Sequence, residues 1–213
     1  MIHDISPPIT QRLGVWPGDT PVSRRVLCDM RRGDNITLST LTATVHLGSH
    51  ADGPCHYGTD APGVGEMQLD RYLGPCHVIN AKIRRGERVA PAHLELPVRG
   101  IVHPRVLIRT GTFPDPENWN ADFGALSTDL VAMLASQGVR TVGIDTPSVD
   151  LQDSKDLPAH KAILAADIAI LEGLVLSVVV PGEYELIALP LRLMGWDASP
   201  VRAVLRSMAT SLV

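Results

Sequence analysis

Short apolar and β-branched runs bounded by turn residues recur along this chain, some with the two-residue period of half-buried strands. Short strands are expected over residues 2–5, 22–28, 105–109, 139–144 and 169–174, and a longer one over 73–83, interrupted near its start by Gly74-Pro75. Residues 35–45 are rich in β-branched side chains, but their alternation breaks phase. Ile36 and Leu38 share one parity, Leu41, Ala43 and Val45 the other, so one extra residue near Ser39-Thr40 predicts a bulge. That strand is expected to run directly into His46. A late strand is read at 187–193, with Pro190 placing it at an edge or bulge. Helical spacing appears at 127–137, where Ser127 can cap, Leu130, Met133 and Leu134 share a face, and Gly138 can end the helix. A short helix over 160–166 follows Leu157-Pro158, and a C-terminal helix is expected from Ser199-Pro200, with Pro200 in the first turn. Rigid turns fall at 15–21 and Gly33-Asp34, and Arg84 to Arg88 read as a solvated turn. Strands outnumber helices, so the fold expected is a single α/β domain over 1–213, with a mixed, barrel-like sheet and few helices.

Composition narrows the function classes. A 45% apolar fraction in 213 residues supports a real core, and a net charge of -4 without a basic block argues against a nucleic-acid partner. Three cysteines without CxxC spacing suit a reducing compartment, with the thiols as small buried residues. Residues 1–8 have neither the basic nor the apolar region of a secretory signal. The most apolar stretch, 162–180, contains Asp167 and Glu172, which reads as core carrying a functional carboxylate rather than a lipid span. A cytoplasmic protein is expected.

The chemistry concentrates at residues 46–56. His46, His50, Asp52 and His56 fall within eleven residues, separated by small or turn-forming ones. Imidazole and carboxylate form the ligand set of zinc, manganese and ferrous iron. His46, His50 and Asp52 can converge on one ion and leave coordination positions open, as a catalytic site requires. Asp52 can bridge to a second ion, with His160 and Glu172 as the further candidates. His56 is then available to carry protons, since an imidazole titrates near neutrality. Trp16, held by the Pro/Gly loop, is either a loop-packing indole or the wall of an apolar pocket that stacks on an aromatic substrate. There is no GxSxG motif, so the parts suit hydrolysis of a carbonyl compound by activated water. A mononuclear ferrous oxygenase using His46, His50 and Asp52, a non-catalytic metal binder and a His-rich surface turn are the competing readings.

Residues 46–56 resemble the HxGTHxDxPxH signature of the cyclase-type metal-dependent hydrolases, with Ser49 in place of Thr. The resemblance extends through 4–8, 15–21, 143–150, 157–160 and 170–174, and so over essentially the whole chain. Gly53 and Cys55 are less usual within the signature but remove no ligand. The resemblance implies a swivelling β/β/α domain, usually a homodimer. It implies two zinc ions per subunit, with manganese or another divalent ion as the alternative. His46, His50 and Asp52 would hold one ion, Asp52 and His160 the other, and Glu172 both, so that Asp52 and Glu172 bridge. His56 would donate and accept protons, and Trp16 would touch substrate. Within the family the resemblance is to members that hydrolyse N-formyl-L-kynurenine to L-kynurenine and formate in tryptophan breakdown. A relative acting on another aryl or cyclic amide is the nearest alternative.

Overall fold

Four short apolar segments, buried at most of their positions, build the centre of the molecule. In the computed structural model, which describes residues 1–95 and 100–208, the chain forms β1 (Ile2–Asp4), β2 (Ser23–Cys28), β3 (Leu38–Thr42), β4 (His50–Asp52), β5 (Leu73–Asn80), β6 (Arg88–Val89), β7 (Arg105–Arg109) and β8 (Ala125–Leu126). It continues through α1 (Thr128–Ser136), β9 (Thr141–Ile144), α2 (Pro158–Ala165), β10 (Ala169–Glu172), β11 (Gly182–Ile187), β12 (Ala198–Pro200) and β13 (Val204–Ser207). Nine strands form one mixed sheet in the order β1-β13-β11-β5-β7-β9-β10-β4-β12. The inner four, β5, β7, β9 and β10, are parallel, and the flanking pairs are antiparallel.

Both faces of the parallel centre are buried, which is the usual condition for parallel strands. Val106 and Ile108, Val142 and Ile144, and Ile168 and Ile170 point to one face, where α1 and α2 cover them with Leu130, Leu134, Ala159 and Ile163. Leu107, Ala169 and Leu171 point to the other, with Cys76, Val78, Leu186 and Leu205. The sheet curls around this second core, giving the mixed, barrel-like α/β fold expected. The Ser127 hydroxyl accepts from Leu130 N and starts α1 as anticipated.

Four expectations change. β3 ends at Thr42, so His46 is delivered by a loop and not by the strand. The bulge lies on the partner strand, at the register shift between Val26 and Cys28 opposite Ser39 and Leu38. The late strand is β11, which ends at Ile187 where the expected one began; beyond it Leu189 and Leu191 are exposed. In place of a C-terminal helix, β12 and β13 pair with β4 and β11, and residues 209–213 lie outside the described residues. Val201, Ala203 and Leu205 are buried while Arg202 and Arg206 are exposed, a strand period that outweighs the first-turn preference of Pro200. Pro200 is tolerated because β12 is an edge strand. All three cysteines are free, and only Cys76 is fully buried.

Candidate metal centre

His50 and Asp52 alternate with Ala51 on β4, so both side chains point to one face while Ala51 enters the core. β4 lies between β10 and β12, and its register sets His50 directly opposite Glu172. Three residues beyond α2's entry point, the first turn of that helix supplies His160. Two glycines allow the loop carrying His46 to approach. Gly48 (φ 55) and Gly173 (φ 64) both use left-handed backbone, and a Cβ on Gly173 would collide with the Gly48 carbonyl. Gly53 is similarly required: a Cβ there would lie 2.6 Å from Val64 N and 2.8 Å from Trp196 O.

His50, Asp52, His160 and Glu172 are all buried, and their donor atoms converge. His46 Nδ1 lies 3.3 Å and His50 Nε2 3.5 Å from Asp52 Oδ1. His160 Nε2 lies 3.7 Å from Asp52 Oδ2 and 3.8 Å from Glu172 Oε1, and His50 Nε2 lies 3.2 Å from Glu172 Oε2.

The outer nitrogen of each ring is anchored. His50 Nδ1 donates to Gly48 O (2.9 Å), His160 Nδ1 to Asp150 Oδ2 (2.9 Å), and His46 Nε2 to Asp197 Oδ2 (3.0 Å). This leaves the inner nitrogens facing the carboxylates, the arrangement that holds a ligating histidine in one tautomer. His50 Nε2 and both oxygens of Asp52 are buried without a hydrogen-bond partner. A lone pair on nitrogen cannot satisfy a lone pair on oxygen, and leaving such atoms bare is costly. The donor set of imidazole nitrogens and carboxylate oxygens therefore fits divalent cations.

The same field gathers protons when no cation competes. Burial opposes charge on His46, but the hydrogen bond and charge of Asp52, helped by Asp197 and Glu172, raise its pKa to about 9. His160 behaves alike: burial opposes it, and Asp150, Asp52 and Glu172 raise it to about 10. Burial would raise Asp52, yet the facing histidines hold it well below the usual carboxylate range. His56 moves the other way. Burial among the site walls lowers its pKa, Asp52 and Glu172 oppose that, and His46 and His160 reinforce it.

His56 ends a 3-10 turn, Pro54–His56, and its ring centroid lies 4.3 Å from that of His46. Unlike the four buried residues it keeps access to solvent, although the site walls crowd its ring. Its ligand atom also falls within 4.8 Å of those of His46 and Asp52, so geometry admits it as a ligand as well as a proton carrier. A second group, His77, His103 and Glu183, meets the same distance criterion. There, however, His77 Nε2 accepts from Val102 N, which commits the other ring nitrogen to a proton.

A cavity of about 740 Å3 opens onto these residues. Its wall includes His46, His50, His56, His160 and Glu172, and also Trp16, Phe113 and Trp119. The chain has three Trp and two Phe, and four of these five are grouped: Trp16 meets Trp119 edge-to-face at 5.6 Å and Phe123 at 6.1 Å, with Phe113 against Trp119 at 5.4 Å. Trp16 thus forms both a packed indole and a pocket wall, at 36% exposure.

The structure brings all seven sequence-predicted residues together: Trp16, His46, His50, His56, His160 and Glu172 line this cavity, and Asp52 lies behind them against His46, His50 and His160. It adds two that the sequence did not assign. Asp150 accepts from His160 Nδ1, from the backbone N–H of Ala159 and His160, and from Arg88 Nη1. Burial would raise its pKa, but His160 and Arg88 bring it down to about 2. Asp197 lies 151 residues from His46, and no local pattern connects the two.

The sequence matches the Cyclase family, described as putative cyclase, over residues 3–151, more than half of the chain. The chain belongs to the cyclase family. Residues 46–56 lie within the matched part, whereas His160 and Glu172 lie beyond it. Among solved structures, "potential metal-dependent hydrolase with cyclase activity" is similar at 26% identity and a TM-score of 0.81, covering 96% of each chain. A predicted metal-dependent hydrolase from Bacillus stearothermophilus is similar at 26% identity and 0.77, covering 96% of this chain and 97% of that one. An isatin hydrolase bound to the product analogue thioisatinate matches at 17% identity and 0.78, covering 96% and 91%. This cyclase-family chain therefore has the fold of metal-dependent hydrolases, and the cavity lies where its strand ends and loops gather the donor atoms. Among the described residues no helix is long and apolar enough to cross a membrane.

Proposed function

We propose that the protein is a metal-dependent amide hydrolase, an arylformamidase that converts N-formyl-L-kynurenine to L-kynurenine and formate. The observation that carries this is the set of inward-facing, unpartnered donor atoms of His50 and Asp52 at the base of an aromatic-walled cavity. His46, His50 and Asp52 would hold one zinc ion, Asp52 and His160 a second, with Glu172 shared. Bound divalent cations acidify water and polarise a carbonyl oxygen. His56, neutral near pH 7 because its pKa is lowered, takes the proton from the attacking water. It then delivers that proton to the aniline nitrogen as the carbon–nitrogen bond breaks. Trp16 offers its ring to the aryl group of the substrate.

Formate release from N-formyl-L-kynurenine, abolished by a chelator and restored by zinc, tests the assignment. Intact substrate after incubation with zinc-loaded protein refutes it. The isatin hydrolase likeness supports a second reading, hydrolysis of a cyclic aryl amide by the same residues, which isatin as substrate would reveal. A single-iron oxygenase is less well supported, since it leaves buried His160 and Glu172 without a role. The homodimer is proposed on the β2–β3 ribbon. Val26, Leu27, Leu38 and Leu41 are 45 to 63% exposed there, and an isolated two-stranded ribbon is marginally stable in water. Sedimentation at micromolar concentration should give a dimer, and a monomer throughout would exclude it.

A further inference from the structure

Four arginines among the described residues are not solvent-exposed: Arg71, Arg88, Arg105 and Arg109. Three are held by short hydrogen bonds or ion pairs. Arg71 donates to the carbonyl and carboxylate of Asp167. Arg88 binds Asp150 and Leu126 O. Arg105 donates to the carbonyls of Asp70, Arg71 and Pro75. Arg109 differs. Among the described residues its side chain makes one hydrogen bond, a long one from Nη1 to Val179 O at 3.5 Å, and no carboxylate forms an ion pair with it, Glu95 feeling its charge only at longer range. A guanidinium carries five N–H donors in a planar fork, so most of this one's capacity is unspent.

Its position gives that capacity a use. Arg109 ends β7 and is the one Lys or Arg among the described residues that line the cavity. Ile108 is in register with Ile144 of β9, and Gly143 of β9 with Leu171 of β10, so Arg109 and Glu172 end strands two places apart at the same edge of the sheet. Two strand spacings separate their backbones by about 10 Å. The cavity carboxylate Asp145 accepts from Thr110 N, Thr110 Oγ1 and Gly111 N, and forms no ion pair with the arginine.

We propose that Arg109 receives a carboxylate of the substrate, at the end of the cavity away from the metal ligands. The inference rests on the arylformamidase reading, in which the formamide and the carboxylate sit at opposite ends of an aryl ketone. It makes the enzyme selective for amino-acid or other carboxylate-bearing aryl amides over their neutral counterparts. A planar fork and a carboxylate match in a bidentate pair, which lysine cannot reproduce.

The test is calorimetric binding of 4-oxo-4-phenylbutanoate and of butyrophenone, the same aryl ketone without the carboxylate, to zinc-loaded protein. Wild type is expected to bind the acid on the order of 10- to 100-fold more tightly, the range for a charge-assisted pair. Arg109→Gln should abolish that preference while leaving butyrophenone affinity within about threefold, the standing uncertainty of such comparisons. Arg109→Lys should lie between. Equal affinities in wild type, or a preference that survives in Arg109→Gln, would overturn the proposal. The latter result would assign the carboxylate to the metal ions. If Arg109→Gln fails to fold, an undiminished preference in Arg109→Lys overturns it instead. Turnover separates the two readings. In wild type, absence of formate from both N-formyl-L-kynurenine and 2-formamidoacetophenone refutes the formamidase assignment, while the binding ratio still decides Arg109.

Discussion

His50 and Glu172 occupy directly opposed positions on two antiparallel strands, with His50 Nε2 3.2 Å from Glu172 Oε2. Each residue is thereby fixed by the backbone ladder as well as by its own rotamer, which is how a sheet holds ligand geometry tightly. Glu172→Gln is expected to keep the fold and lose at least one ion per chain, because an amide is a weaker ligand that cannot bridge as a carboxylate does. Elemental analysis after gel filtration measures it, and normal zinc content would exclude a shared role.

The His160–Asp150 hydrogen bond predicts a quieter effect. Asp150→Asn keeps an acceptor but loses the charge that also faces Arg88. Metal affinity or activity should fall roughly 10- to 100-fold, the usual cost of removing an outer partner of a ligating histidine. Titration against a competing chelator, run beside kinetics, tells lost affinity from lost turnover.

His56→Ala should retain metal and lose about 100- to 10,000-fold in kcat, the range for one general acid–base group. Loss of metal in this variant would instead make His56 a ligand, as its distance from His46 and Asp52 allows. The base must be neutral to act, and burial lowers the His56 pKa below its ordinary 6.5. The acid limb of kcat/KM should therefore rise with pH at a midpoint below 6.5 and be flat through neutrality.

Metal-free protein should become less stable in alkali. Both His46 and His160 have pKa values raised from 6.5 in the folded state, to about 9 and about 10. Their contribution is fully present below pH 6.5 and declines as pH rises through those values. Ligating a cation through the inner nitrogens expels these protons, so zinc affinity should increase with pH over the same window. Melting of chelated protein across this range gives the first, and His160→Gln should flatten its slope.

The cavity's aromatic wall predicts that Trp16→Ala raises KM about 10-fold for an aryl substrate, since an aromatic pair contributes roughly 0.5–1.5 kcal/mol beyond its buried area. Trp119 and Phe123 lose their edge-to-face neighbour at the same time. A variant with unchanged KM would confine Trp16 to packing.

Local patterns carried the site further than the fold's edges. His46, His50, Asp52 and His56 are legible because eleven residues hold them all, and the strands expected at 105–109 and 139–144 match β7 and β9, although their burial on both faces is not legible from the sequence. His160 and Glu172 looked ambiguous as residue types, and it was the motifs around them that singled them out. Asp197 was invisible, because its link to His46 exists only once β12 lies beside β4. Arg109 read as an ordinary strand end for a related reason, since an unspent guanidinium is a property of what surrounds it. The C-terminal error had a different origin. The first-turn preference of Pro200 predicts a helix, whereas Val201, Ala203 and Leu205 are buried with the two-residue period of a strand.

The backbone contact between Gly48 and Gly173 has a kinetic consequence. It sets the loop bearing His46 directly against the strand end bearing Glu172, with no room for a side chain between them. The candidate ligands His50 and Asp52 on β4 and Glu172 on β10 are carried by paired strands, so peeling β4 from β10 would part them. Exchange of bound cations with chelator should accordingly follow the slow, cooperative opening of that sheet edge rather than the fast rotation of side chains. Amide hydrogen exchange at Ala51 and Leu171 would keep time with it.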